Sequence, residues 1–211
     1  MPNKAERPHQ SQRLRQEVAA EAARILATEG QRNYRLAKEK AANRLGLSGR
    51  SGLPSNSEIE LELKRYQAMY GGTEHASQLA DLRQAALAAM KFFHRFRPRL
   101  VGPVLEGTAD QHSRVSLQLF CEHSEEVIAF LHRNSIAFSQ EQRRIRWYDG
   151  TARTLELIVI EADGNAFELA LMAGSGWRQP PPDPISGSSQ RRASTTEVEQ
   201  MLASGHIAPL D

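Results

Sequence analysis

The sequence predicts an α+β protein in which a helical N-terminal region is followed by a β-sheet domain with flanking helices. Up to about residue 96, apolar residues recur every three or four positions, which is the period of an amphipathic helix. From about residue 100 to 172 they form short runs separated by turn residues, as strands do. The 211 residues, 40% hydrophobic and 25% charged, suffice for one domain of about 100 to 150 residues and an additional region.

Four helices are predicted in the first half of the chain. They cover residues 12–29, 34–45, 55–70 and 76–96. The third has the clearest start, because Ser55 and Glu58 have the spacing of a capping box. Gly46 and Gly71 follow the second and third helices, and Pro98 follows the fourth, at positions where helices commonly end.

Five strands and two short helices are predicted after residue 98. The strands cover residues 100–105, 115–120, 136–147, 154–161 and 166–172, and the helices cover 124–133 and 197–203. The dipeptide Asp163-Gly164 is typical of a tight hairpin turn between the last two strands. Residues 174–194 contain four of the ten prolines and are expected to be a flexible linker. We therefore expect divisions at residues 1–72, 73–175 and 176–211.

One segment carries a family resemblance. Gly102, Gly107, Thr108, Ala109 and Ser113 have the spacing found in the active-site hairpin of the nucleotidyltransferase superfamily. In that family a strand ends in Gly-Ser, a turn such as A-R-G-T-A-x-x-x-S follows, and the next strand begins with Asp-x-Asp. The chain resembles this family over about 100 residues. The resemblance implies a nucleotidyltransferase-like mixed β-sheet domain at 73–175.

The resemblance does not extend to the catalytic aspartates, because Arg114 and Ser116 stand at their positions. Two aspartates at i and i+2 point to one face of a strand and there hold magnesium ions on the nucleotide phosphates. Arg114 instead brings a permanent positive charge, and Ser116 removes an anionic ligand. Pro103 replaces the family's serine and supplies neither its hydroxyl nor a backbone N–H. Metal-dependent transfer by the usual route is therefore not expected.

The sequence predicts a non-catalytic protein that binds a phosphate-containing ligand, a nucleotide, nucleic acid or a protein partner, with no cofactor and no metal site. The expected ligand-binding residues are Gly102, Gly107, Thr108, Ser113, Arg114 and Ser116. Arg99, Arg143, Arg144 and Arg146 are candidates to extend such an anion pocket. The alternative interpretation of the arginines at 143–146 is a solvated strand edge that opposes aggregation.

An active nucleotidyltransferase is the first alternative function. It requires replacement carboxylates, for which Glu106 and Asp110 in the turn and Glu168 on a later strand are the catalytic candidates, with Mg²⁺ as cofactor. Glu156 is a further candidate for the same role as Glu168. The usual place of such strand carboxylates is the solvated face of a sheet.

A DNA-binding regulator is the second alternative. Residues 1–50 hold eleven Lys and Arg against five Glu, whereas the remainder of the chain is acidic. The helices predicted at 12–29 and 34–45 resemble the start of a TetR-type helix-turn-helix. The segment GRSGLPSN then stands where that family has its recognition helix, which reads bases in the major groove.

Other function classes are disfavoured by composition. Cys121 is the single cysteine, so neither an internal disulfide nor a cysteine-rich metal site is possible. No apolar run approaches the roughly 18 to 20 residues that span a bilayer, and the N-terminus lacks the apolar core of a signal peptide. We therefore expect a cytoplasmic protein with no membrane partner.

Overall fold

The computed structural model of the chain describes residues 6–29, 31, 33–47, 53–110, 113–173 and 179–204. It divides between Thr73 and Glu74 into two compact units. Helices make up the described part of the first unit, and the second contains a five-stranded mixed sheet with helices. The predicted α+β class is confirmed.

The first unit contains helices α1 (Glu6–Thr28), α2 (Tyr34–Arg44) and α3 (Asn56–Tyr70). Its core is an apolar cluster from all three, which includes Val18, Ile25 and Ile59. The predicted capping box is confirmed: the Glu58 amide donates to Ser55 Oγ at 3.2 Å, and the Ser55 amide donates to Glu58 Oε2 at 2.6 Å. Gly30, which lies just past the first predicted helix, is outside the described residues.

The second unit begins within α4 (Gly72–Phe92), which a short 3₁₀ turn, His94–Phe96, follows. The later helices are α5 (Pro103–Glu106), α6 (Ser124–Arg133) and α7 (Thr195–Ser204). The strands are β1 (Arg99–Val101), β2 (Val115–Cys121), β3 (Phe138–Arg146), β4 (Ala152–Ala162) and β5 (Asn165–Ala173). Their order across the sheet is β1-β2-β5-β4-β3, so β1 and β3 are the edge strands.

Strands β2 and β5 are parallel, and the other neighbouring pairs are antiparallel. Because side chains alternate along a strand, each strand contributes to two faces of the sheet. On the core face, Leu117, Leu169 and Ile158 pack in one cluster with residues of α4 and α6. On the second face, Phe120, Leu157 and Met172 belong to a smaller apolar cluster. The candidate site described below lies on this second face.

Two predictions about the second unit were wrong. The strand expected at 100–105 ends at Val101, because Gly102 adopts φ +71° and Pro103 then begins α5. A proline fits the first turn of a helix, where its missing N–H costs nothing. The expected flexible linker is instead hydrogen-bonded over its described part: Ala193 and Leu100 exchange two backbone hydrogen bonds of 2.9 Å.

Candidate functional site

The centre of the candidate site is a row of residues across β1, β2 and β5. Ser116 lies opposite Val101 of β1 on one side and opposite Glu168 of β5 on the other. Gly102 directly follows β1, and a Cβ atom placed on it would be 3.6 Å from Ser116 Oγ. The strand pairing thus places Gly102, Ser116 and Glu168 next to one another, although they are far apart in sequence.

Glu168 belongs to a group of four charged side chains on the second face, here termed the cross-sheet network: Arg114, Glu141, Arg143 and Glu168. Arg143 Nη2 donates to Glu168 Oε2 at 2.5 Å, and Arg114 Nη1 lies 3.8 Å from the same oxygen. Arg114 Nη1 also donates to both carboxylate oxygens of Glu141, at 3.2 and 3.3 Å. The network therefore contains two positive and two negative charges.

Burial differs sharply within the cross-sheet network. The side chain of Glu168 is 10% exposed, whereas those of Arg114 and Arg143 are 40% and 50% exposed. A carboxylate removed from water requires a nearby positive charge, and Arg143 supplies it at short range. Arg114 is held at longer distances, and its main partner, Glu141, is itself 42% exposed. Arg114 is thus the cation in the network that a competing anion can most easily recruit.

The other predicted ligand-binding residues shape the turn between α5 and β2. Gly107 follows α5 with φ +80°, a conformation that favours glycine, and the Thr108 amide donates to the Pro103 carbonyl at 3.0 Å. The Ser113 hydroxyl donates to Asp110 Oδ1 at 2.7 Å and accepts from the Asp110 amide at 2.9 Å. These contacts tie Asp110 to Ser113, the residue before Arg114.

The replacement carboxylates have separate partners. Glu106 forms an ion pair with Arg191 at 3.8 Å, Asp110 accepts from Ser113, and Glu168 faces two arginines. Glu156 accepts a hydrogen bond of 2.5 Å from the Ser124 hydroxyl at the start of α6. Within the described ranges, no group of three or more His, Cys, Asp or Glu side chains is arranged to hold a metal ion.

The predicted arginine pocket is only partly assembled. Arg114 and Arg143 meet at Glu168, whereas the alternation along β3 places Arg144 and Arg146 on the core-face side of that edge strand. Arg99 lies opposite Gln118, two residues further along β2 than Ser116. The five arginines therefore do not line one pocket.

Sequence reasoning missed a second polar cluster on the same face. Gln118 is 1% exposed; its carbonyl oxygen accepts from Arg192 Nε at 2.5 Å and its amide donates to Gln190 Oε1 at 2.7 Å. Burial lowers the pKa of Arg192, and the nearby positive charge of Arg99 lowers it further. This cluster places the positive charge of Arg192 beside Gln118, two residues further along β2 than Ser116. Gln118 itself showed no sequence signal beyond its place among apolar strand residues.

Sequence reasoning also missed Glu141, although the alternation of side chains along its strand indicated the face on which it lies. It lies two residues before Arg143 on β3, so strand alternation predicts that both side chains share a face. Its partner Arg114 lies 27 residues earlier, directly before β2, a strand that is not a neighbour of β3 in the sheet. The pairing of Glu141 with Arg114 could therefore be predicted only from the order of the strands in the sheet.

In the first unit, basic side chains are largely paired with acidic ones. Arg24 and Arg44 both bond to Glu21, and their hydrogen bonds lower its pKa to about 2, the larger effect coming from Arg24. A hydrogen bond from Arg15 has the same effect on Glu58, whose pKa is also about 2. Eleven residues, 45–55, separate α2 from α3. A helix-turn-helix turn has only about three or four.

Comparison of the chain with models of known protein families, with curated protein sequences and with solved structures gave no match. The nucleotidyltransferase and TetR-type resemblances therefore rest on the residues quoted above. No helix among the described residues is both long enough and apolar enough to cross a membrane.

Proposed function

We propose that this chain is a non-catalytic, nucleotidyltransferase-like protein that binds a phosphate-bearing ligand at Arg114, beside Gly102 and Ser116. The observation that carries the proposal is the position of Arg114. Its guanidinium lies 3.8 Å from the buried carboxylate of Glu168, and Ser116 is the neighbour of Glu168 across the sheet. In the family that the hairpin resembles, metal-binding aspartates occupy the positions of Arg114 and Ser116.

Arg114 is suited to this role because its bonds to Glu141 are replaceable. A phosphate group accepts two parallel hydrogen bonds from a guanidinium, whereas a single nitrogen of Arg114 now serves both oxygens of Glu141. Glu141 is exposed, so water can solvate its carboxylate once a phosphate displaces it. The Ser116 hydroxyl offers a neutral donor in the same row.

The charge of Glu168 argues for binding without a protein-held metal ion. Two guanidinium groups already balance this carboxylate, and both would repel a divalent cation bound to it. In this proposal, any Mg²⁺ arrives with the ligand's phosphates.

Calorimetric titration with pyrophosphate and with ATP, in EDTA, tests the proposal. Arg114→Gln removes the charged donor and should weaken binding about tenfold or more, since a hydrogen bond to a charged group contributes about 1.5 to 3 kcal/mol. Glu141→Gln removes the competing carboxylate and should tighten binding several-fold. Arg144→Gln, on the same strand as Glu141 but on the other face, is the matched control and should leave affinity unchanged.

Two results would contradict this function. One is an Arg114→Gln variant that binds both ligands as tightly as the parent chain. The other is magnesium-dependent transfer of a nucleotide monophosphate by the parent chain, which would favour the alternative of an active enzyme.

A further inference from the structure

Strand β3 presents a free edge along nine residues. In the part of the chain that the structure describes, β3 pairs with β4 on one side and has no strand on the other. Residues 139–144 are exposed throughout. Such an edge offers a row of backbone donors and acceptors to another strand.

Reversing the sequence of β3, FSQEQRRIR, about its central residue, Gln142, places its single glutamate opposite an arginine. Two copies paired antiparallel about Gln142 place Glu141 opposite Arg143 of the second copy, and the two-fold symmetry repeats this pair. Gln140 then faces Arg144 of the second copy. Opposite charges directly across an antiparallel pair stabilise it.

We propose that two copies of this chain associate through β3, antiparallel and centred on Gln142, and so join their sheets edge to edge. A two-fold interface of this kind uses the same surface patch on both copies. It also satisfies the backbone groups that the edge of β3 otherwise exposes to water.

The charge pattern selects this register among the neighbouring ones. Residues directly opposite each other in an antiparallel pair have their side chains on the same face of the sheet. If the core faces of the two copies are to lie on the same side, the two-fold axis of the dimer must therefore pass between two copies of one residue, not between neighbouring residues. An axis at Glu141 places two glutamates opposite each other, and an axis at Arg143 does the same with two arginines; both are unfavourable. An axis at Gln140 leaves the end of the strand, from Arg143 to Arg146, without a partner. Only the axis at Gln142 pairs all nine residues without opposing like charges.

An apolar groove beside the start of β3 supports the same arrangement. The groove has a volume of about 770 Å³ and lies between α4, β4 and the first residues of β3, with Phe138 and Phe92 among its apolar lining. Glu161 and Asp163 contribute acidic groups to the lining. Pairing about Gln142 brings Arg146 of the second copy opposite Phe138, so a cation approaches an aromatic ring and the two acidic groups that line the groove.

The hairpin that follows β3 adds apolar surface to the same contact. Trp147 and Tyr148 of the second copy come directly after the paired strand, next to Ala137 and Ile136 of the first. Ala137 and Ile136 line the groove, and Tyr148 is 42% exposed in the single chain. Within each chain Arg153 lies over the Trp147 ring at 4.0 Å and the Tyr148 hydroxyl donates to the Pro180 carbonyl at 2.9 Å, so these aromatic side chains border the contact rather than enter the groove.

The test is the oligomeric state of the whole chain, measured by sedimentation velocity together with light scattering after size exclusion. The parent chain should be dimeric at about 100 µM, a concentration typical for detecting a weak interface. Gln142→Arg places two arginines against each other at the axis, and Gln142→Glu places two glutamates there. Each variant alone should shift the dissociation constant at least tenfold towards monomer, whereas an equimolar mixture of the two should form dimers again.

Gln200→Arg, an exposed position on α7, is the control for added charge and should remain dimeric. Circular dichroism spectra equal to that of the parent chain verify that the variants fold. A monomeric parent chain would overturn the proposal. So would dimers that persist unchanged in both Gln142 variants, because the contact would then lie elsewhere, and so would a mixture that stays monomeric.

Discussion

Removing Arg143 should destabilise the second unit more than removing Glu168, although the two residues form one ion pair. Glu168 is the buried partner, with 10% of its side chain exposed, and Arg143 is half exposed. Arg143→Gln leaves a buried carboxylate whose remaining cation, Arg114, is 3.8 Å away. Glu168→Gln leaves two arginines that water can solvate, and keeps an amide of the same shape on β5. Arg143→Gln should therefore lower the free energy of unfolding more than Glu168→Gln does.

The magnitude follows from opposing terms. Two unit charges about 4 Å apart attract by about 4 kcal/mol at an effective dielectric constant near 20, and transferring the carboxylate out of water offsets most of this. Because Arg143 is half exposed, we expect a coupling energy of about 1 to 2 kcal/mol between Arg143 and Glu168, nearer the range of partly exposed pairs than that of fully buried ones. Arg143→Gln should cost about 2 kcal/mol and Glu168→Gln about 0.5 to 1 kcal/mol.

A double-mutant cycle in urea measures these quantities. Trp147 lies in the second unit, so tryptophan fluorescence reports on the unfolding of that unit. The free energies of unfolding of the parent chain, the two single variants and the double variant give the coupling directly. Arg144→Gln is the control and should change stability by less than about 0.5 kcal/mol, because its side chain is on the exposed edge strand.

The reasoning is refuted if Glu168→Gln costs as much as Arg143→Gln or more. A coupling energy indistinguishable from zero would also contradict it, since the 2.5 Å contact would then contribute nothing.

Three further predictions concern the rest of the chain. Glu21 and Glu58 have pKa values of about 2 because of their arginine partners, against 4.5 in an unfolded chain. Their stabilising contribution is therefore complete above about pH 5 and is lost as the pH falls towards 2. Hydrogen exchange of α1 to α3, measured as a function of pH, should reveal this loss. If the pH dependence of the exchange free energy is the same in Glu21→Gln as in the parent chain, the prediction is wrong. Ser55→Ala removes the cap of α3 and should cost about 1 kcal/mol by the same exchange measurement, and no loss would show that the box is dispensable. Burial and, to a lesser extent, nearby glutamates raise the pKa of the Cys121 thiol to about 11, so its labelling by a disulfide reagent at pH 8 should be much slower than that of free cysteine; an equal rate would contradict the burial.

Local rules predicted those parts of the fold that depend on local geometry. The turn at Asp163-Gly164 has φ values of +50° and +76°, as a tight hairpin with two left-handed residues requires, and this dipeptide is typical of such turns. The capping box of α3 was predicted because its two hydrogen bonds span only three residues. Neither feature needs tertiary information.

Contacts across the sequence explain the errors. The segment at 100–105 is apolar throughout and resembles a strand, but Gly102 and Pro103 change the backbone direction within it. The proline-rich segment was expected to be flexible from its composition. Its described part is instead held by Ala193 on the edge of β1, a partner that lies more than ninety residues earlier.

The sequence predicted the residues of the candidate site better than it predicted their arrangement. Arg114 and Ser116 were selected from the hairpin motif and Glu168 as a carboxylate on a later strand, but only the parallel pairing of β2 with β5 places Ser116 beside Glu168. Glu141 reaches Arg114 from the far edge of the sheet, and no sequence pattern specified that strand order. The charge balance of the network is therefore a property of the fold.

The most direct test of the proposed function is calorimetric titration of Glu168→Gln with pyrophosphate in EDTA. Removing this carboxylate leaves Arg114 and Arg143 with a single competing glutamate, Glu141, so the proposal predicts binding several-fold tighter than in the parent chain. A replacement metal site predicts the opposite. Binding that requires Mg²⁺ in the parent chain and disappears in Glu168→Gln would contradict an anion site built on arginine.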